Sequence, residues 1–277
     1  MVFTTLISAE ELRATPDAVV LDCGFDLADP GAGERAYAAG HLPGARYAHL
    51  ERELSAAKGD GRRGRHPLPD RAAFAATVGG WGIGPETQVV VYDAQGGPYA
   101  ARAWWLLKWL GHGKVAVLDG GPAAWLAAGG ELATASAPAE TLPPYPASAE
   151  PAMATIAAES LLAAIGHLRI VDARGGERFR GEVEPIDPVG GHIPGATNRF
   201  FKDNLQADGR FKPAPALRAE FERWATPADH IVLQCGSGVT ACHNLLAMAH
   251  AGFDGMRLYP GSWSEWCQDA SRPVARG

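Results

Sequence analysis

A candidate nucleophile stands at residues 233–241, Leu233-Gln234-Cys235-Gly236-Ser237-Gly238-Val239-Thr240-Ala241. A short apolar run ends at the thiol, two glycines follow closely, and a helical pattern then begins. A backbone curled at those glycines can aim the N–H groups of Gly236, Gly238, Val239 and Thr240 at one anion. The amino end of the helix adds about half a positive charge. Both effects favour thiolate over thiol at Cys235. A lone cysteine reads as a small buried hydrophobe; the strand–Cys–Gly-rich turn–helix context points instead to a reactive anion. Ser237 adds a hydroxyl, and the loop has no cation of its own, because no Lys or Arg occurs between Cys235 and Asn244.

The elements that must position this loop are written twice. Gly40-His41-Leu42-Pro43-Gly44-Ala45 returns as Gly191-His192-Ile193-Pro194-Gly195-Ala196, 151 residues later. Val19-Val20-Leu21-Asp22 has its counterpart at Arg169-Ile170-Val171-Asp172, Val89-Val90-Val91-Tyr92-Asp93 at Ile231-Val232-Leu233-Gln234-Cys235, and Leu118-Asp119-Gly120-Gly121 at Leu258-Tyr259-Pro260-Gly261. Blocks in the same order at so long a period mean a duplicated domain rather than a solenoid. The expected division is a first copy at 1–132, a linker rich in Pro, Ala and Ser at 133–150, and a second copy at 151–277. Short β-branched runs alternate with helical patterns, including 100–110 and 239–251, and Ser8 with Glu11 offers a capping box. The fold class is therefore α/β, each copy a mainly parallel sheet flanked by helices, with sites at the carboxyl ends of strands. Asp93 and Cys235 fall at equivalent strand tips, and Asp has no thiol to serve as a sulfur carrier. Pro98 lacks an N–H, so the Asp93 loop is expected not to form the same nest.

Composition excludes several classes. The 277 residues carry 25 Lys+Arg against 31 Asp+Glu, a net charge of -6 that argues against nucleic-acid binding. No apolar run reaches the ~18 residues of a membrane helix, and the start has no pattern of an export signal. The four cysteines, Cys23, Cys235, Cys242 and Cys267, form no CxxC pair, which argues against a disulfide scaffold and a structural metal site. A reducing, cytoplasmic setting is expected.

The tandem GH[LI]PGA motifs, the Asp-Ala-Arg after a strand at 172–174, the CGSGVTA loop and the terminal Gly-Ser-Trp at 261–263 with Trp266 resemble the two-domain rhodanese family of sulfurtransferases. The resemblance covers nearly the whole chain. It implies tandem rhodanese-like domains, an inactive first copy, and a persulfide carried on Cys235. Within the family, thiosulfate enzymes tend to place Arg and Lys after the Cys; Gly236 and Ser237 here match the 3-mercaptopyruvate type instead. The resemblance further implies that Ser237 pairs with His66 and an acid at Glu51 as a proton relay, where the family more often has Asp. It also implies that Arg178 meets the substrate carboxylate. A second family arginine after a Glu-Pro pair is missing, since Glu184-Pro185 is followed by Ile186-Asp187. No cofactor and no metal are implied. The implied acceptors are cyanide, a thiol or thioredoxin, with no nucleic-acid and no membrane partner. Arg174 is expected to pair with acids within the domain. His41 and His192, present in both copies, are expected to be structural, and Cys242 and Cys267 bystanders.

Three other readings compete. Thiosulfate can be the donor in place of 3-mercaptopyruvate. Phosphate-ester hydrolysis needs a cation six residues after the Cys, where Ala241 stands. A non-enzymatic sulfur carrier or partner-binding module is separated from an enzyme by turnover.

Overall fold

The computed structural model describes residues 1–135, 140–224 and 226–277. The chain divides into two compact units. Unit 1 comprises Met1–Ala56, Pro69–Ala152 and Ala207–Phe211; unit 2 comprises Ala57–Leu68, Met153–Gln206 and Lys212–Gly277.

Unit 1 is built from strands β1 (Leu6–Ile7), β2 (Val19–Asp22), β3 (Arg46–Tyr47), β4 (Val89–Tyr92) and β5 (Val115–Leu118). They form one sheet in the order β1-β5-β4-β2-β3. Every pairing in it is parallel. Its helices are α1 (Ala9–Arg13), α2 (Ala32–Ala39), α3 (Arg71–Gly80), α4 (Pro98–Leu110) and α5 (Gly121–Ala127). Helix α1 opens on the expected capping box, with Ser8 and Glu11 each bonding the other's backbone N–H. Helix α4 starts with left-handed Gly97 and Pro98 in its first turn, a position where proline's missing N–H costs nothing. Val20, Val90, Tyr92, Ala116 and Leu118 bury one sheet face against α1 and α5 residues such as Leu12 and Ala124.

Unit 2 repeats the plan with β6 (Arg169–Asp172), β7 (Thr197–Asn198), β8 (Ile231–Gln234) and β9 (Arg257–Leu258), in the order β7-β6-β8-β9. All its strands are parallel. The counterpart of β1 is a single parallel bridge between Thr155 and Leu258. Its helices are α6 (Ala158–Ala163), α7 (Gly176–Arg180), α8 (Ala214–Glu222), α9 (Thr240–His250) and α10 (Ser262–Trp266). Ile170, Val232, Tyr259, Trp263 and Trp266 form its core. Strand β8 is buried along its whole length, which explains why it reads as a continuous apolar run rather than an alternating one.

The grouping differs from the expected division in two places. Residues 57–68, read as part of the first copy, belong to unit 2. The expected linker is also not a free spacer: residues 140–152 belong to unit 1, where Leu142, Tyr145, Ser148 and Ala152 donate backbone hydrogen bonds to Gly79, Ala75, Leu110 and Trp109. Prolines removed some donors there, but these four N–H groups still found carbonyls on α3 and α4. Residues 136–139 of that linker lie outside the described residues.

Candidate active site

Strand β8 delivers Cys235 immediately past its last residue, and α9 begins at Thr240. Cys235 is buried, 1% exposed. The Ser237 N–H lies 3.5 Å from its sulfur. Of the two glycines, only Gly238 needs its conformational freedom: its φ is 75°, and a side chain there would run into the Pro260 carbonyl oxygen. Gly236 has an ordinary φ and serves a different end, because it leaves space for two guanidinium groups. A Cβ at Gly236 would lie 3.3 Å from Arg65 Nη2 and 3.6 Å from Arg178 Nη1. The loop without a cation of its own thus has two brought to it from elsewhere in the unit.

Helix α10 braces the nucleophile from behind. The Cys235 N–H donates to Ser262 Oγ at 3.1 Å, and the Cys235 and Gly236 carbonyls accept from Trp263 and Ser264 N–H at 3.0 and 2.9 Å. Ser262 holds a φ of 54°, which no other non-glycine among the described residues shares in sign. Such a conformation strains an L-residue and is held here by the hydroxyl, which also donates to the Tyr259 carbonyl at 2.9 Å.

His66 and Ser237 are brought together: His66 Nδ1 lies 2.8 Å from Ser237 Oγ, with both side chains buried. Glu51 belongs to unit 1, in the exposed turn after β3, where its N–H donates to His49 Nδ1. Val239 caps α9 and Thr240 opens it. Arg178, on α7, bonds Glu184 at 2.7 Å and Asp187 at 3.1 Å; Arg65 bonds Asp187 at 2.8 Å. Burial pushes the Glu184 carboxyl up, but bonds from Arg178 and from the Asp187 and Ile186 N–H groups outweigh it, so its pKa lies below the usual range.

The residues read as structural have structural partners. Arg174 grips Asp172 through Nε and Nη2 and lies over Trp263, 4.8 Å from the ring centroid. His192 stacks on Phe179 and bonds its carbonyl; His41 does the same with Tyr37 in unit 1. Cys242 points its thiol at the Gly238 carbonyl. Burial, then the charge of Asp187, pushes the Cys267 thiol up to about 11, so it stays protonated at neutral pH.

At the equivalent strand tip of unit 1 the loop is built around the side chain of Asp93 itself. The Asp93 loop does form a nest. Its Oδ1 accepts from the Gln95 and Gly97 N–H groups, and its Oδ2 from those of Tyr99 and Ala100, all at 2.8–2.9 Å. Pro98 removes one donor, but the donors on either side of it still converge. The carboxylate itself occupies the anion position. Burial pushes its pKa up, and the four N–H bonds oppose that.

Two matches to the rhodanese-like domain model, at residues 6–128 and 157–269, account for both units. The chain belongs to the rhodanese-like family. It is a tandem member, with two parallel-sheet domains. It is 51% identical to a Pseudomonas aeruginosa protein named "Probable 3-mercaptopyruvate sulfurtransferase", over 98% of each chain. It is 42% identical to a Mycobacterium tuberculosis protein named "Putative thiosulfate sulfurtransferase SseB", over 98% of this chain and 97% of the relative. Among solved structures it is similar to the 3-mercaptopyruvate sulfurtransferase SseA of Escherichia coli, with a TM-score of 0.77 at 31% identity, covering 94% of this chain and 99% of that one. Among the described residues, no helix is long and apolar enough to cross a membrane.

Sequence reasoning passed over Arg65, Asp187 and Ser262. Each carried a weak signal: Arg65 immediately precedes His66, Asp187 stands beside the position of the missing arginine, and Ser262 lies in the terminal Gly-Ser-Trp.

Proposed function

We propose that this rhodanese-like chain is a sulfurtransferase that takes sulfur from 3-mercaptopyruvate and passes it to a thiophilic acceptor through a persulfide on Cys235. The Cys235 thiolate attacks the thiol sulfur of the donor. The carbon–sulfur bond breaks, its electrons pass into the pyruvate enolate, and the enolate takes a proton at carbon to leave as pyruvate. An acceptor then attacks the outer sulfur and regenerates the thiolate. Cyanide would leave as thiocyanate; a thiol would leave as its persulfide, and the second thiol of a dithiol such as thioredoxin would then displace that sulfur as sulfide and form a disulfide. Four free cysteines suit a reducing, cytoplasmic setting.

The observation that carries the donor assignment is the 2.8 Å contact between Ser237 and His66, two residues from the nucleophile. A departing enolate needs a proton, whereas sulfite leaving thiosulfate does not. Ser237 and His66 supply that proton, and Arg65 with Arg178 hold the carboxylate. The backbone N–H groups of Gly236, Gly238, Val239 and Thr240 stabilise the persulfide anion.

The test is side-by-side kinetics with both donors. The higher kcat/KM is expected for 3-mercaptopyruvate. Cys235→Ser is expected to abolish transfer, and donor-treated protein to carry one added sulfur, on Cys235. Ser237→Ala is expected to lower use of 3-mercaptopyruvate by roughly 10–100-fold, the range for a lost proton-transfer partner, and to affect thiosulfate less. A wild type that turns over thiosulfate better overturns the donor assignment and makes thiosulfate the substrate.

A further inference from the structure

We infer that Asp187 is a specificity-determining residue: a built-in carboxylate that, together with Glu184, discharges the two arginines beside the Cys235 loop and so selects a monoanionic donor over a dianion. This deepens the reading of the site as a sulfurtransferase and rests on it for the identity of the donors.

Asp187 is buried and bridges the pair. Its Oδ1 accepts from Arg65 Nη1 at 2.8 Å, and its Oδ2 from Arg178 Nη2 at 3.1 Å. Glu184 accepts from Arg178 Nε and shares Nη2 with Asp187. Arg174 adds a third cation, itself held by Asp172. Three guanidinium groups therefore face three carboxylates, and this set of six charges sums to zero.

The arginines are discharged but not used up. Arg65 Nη2 and Arg178 Nη1 bond no other group among the described residues, and these are the atoms nearest Gly236. Arg65 Nε is also buried without a partner. The two side chains are 15% and 22% exposed, so an incoming anion can reach them. The geometry offers forked N–H donors with no net charge behind them. Such a site can hydrogen-bond one carboxylate. It cannot offset the desolvation of a compact dianion next to a thiolate. A family arginine is missing beside Ile186, and Asp187 is its neighbour in sequence. This protein thus places its second guanidinium by way of Arg65 and sets the charge of the pair with an acid.

The test is Asp187→Asn, which keeps the size of the side chain and removes the charge, with Asp187→Glu as the charge-conserving variant. A unit charge about 6 Å away, at an effective dielectric of about 40, changes monoanion binding by roughly tenfold and dianion binding by roughly the square of that. Asp187→Asn is therefore expected to shift the ratio of kcat/KM values towards thiosulfate by about tenfold, and Asp187→Glu to leave it within about threefold of wild type. A second readout needs no donor: Cys235 is alkylated with iodoacetate, an anion, and with iodoacetamide, which is neutral. The iodoacetate rate is expected to rise about tenfold relative to iodoacetamide in Asp187→Asn alone. An unchanged alkylation ratio in Asp187→Asn overturns the charge role. A changed alkylation ratio in a protein that turns over neither donor upholds Asp187 and refutes the donor reading instead.

Discussion

Asp93 offers the sharpest energetic test, because one side chain satisfies four backbone donors. Replacing it with Ala removes the acceptor for the N–H groups of Gln95, Gly97, Tyr99 and Ala100. The bonds to Gly97 and Ala100 are buried; those to Gln95 and Tyr99 are partly buried, so water can replace some of what is lost. At about 1–3 kcal/mol for each buried donor left unpaired, the two buried groups alone give roughly 2–6 kcal/mol. Relief from burying a carboxylate offsets part of this, which leaves an expected loss of about 3 kcal/mol for Asp93→Ala. Asp93→Asn keeps one oxygen and turns an amide N–H₂ towards the remaining donors, so it is expected to lose about half the bonds and roughly 2 kcal/mol. Urea unfolding gives the stability change, and amide hydrogen exchange across residues 93–100 shows where it arises. The loop amides are expected to lose protection in both variants. A variant Asp93→Ala as stable as wild type, with those amides equally protected, refutes the view that the carboxylate is the nest's own anion.

Two further expectations concern unit 2. Ser262→Ala leaves the Cys235 N–H without its acceptor and keeps the strained backbone, while Ser262→Gly loses the hydroxyl but relieves the strain. Both are expected to slow single-turnover persulfide formation by on the order of tenfold, with the Gly variant about 1 kcal/mol more stable than the Ala variant in urea; equal stability of the two would refute the strain assignment. Glu184 has a folded pKa below its ordinary 4.5, so its stabilising contribution is fully present above that pH and is lost as pH falls through the lower folded value. Acid unfolding monitored by circular dichroism is expected to begin at higher pH in wild type than in Glu184→Gln once each curve is normalised to its neutral-pH stability; a Glu184→Gln curve that coincides with wild type would show that the group is not coupled to folding.

Much of this protein is written in short stretches of chain. The repeat and its order, the strands at 19–22, 89–92, 169–172 and 231–234, and the helices following the Asp93 and Cys235 loops are local patterns. Hydrophobic runs, glycine–proline punctuation and a capping box act over a few residues, so they are legible without knowing what packs on them. The contrast between Cys235 and Asp93 is likewise a matter of residue identity at matched strand tips. The pairing of His66 with Ser237 could be anticipated only through resemblance to a family, because 171 positions of chain separate them. The rest depended on tertiary structure. The sequence suggested a Cys235 loop short of cations, yet Arg65 and Arg178 stand against Gly236, and Asp187 between them, together with Glu184, cancels their charge. The Pro98-containing loop lacks one donor, and only its curl shows that four others close on the carboxylate of Asp93. Ser262 drew no reading of its own from the sequence, and its hydroxyl accepts the Cys235 N–H. In each case the decisive quantity is a distance of about 3 Å between groups remote in sequence or set by one loop's exact curl. A hydrogen bond or ion pair falls away steeply beyond such distances, and composition and periodicity carry no information at that scale.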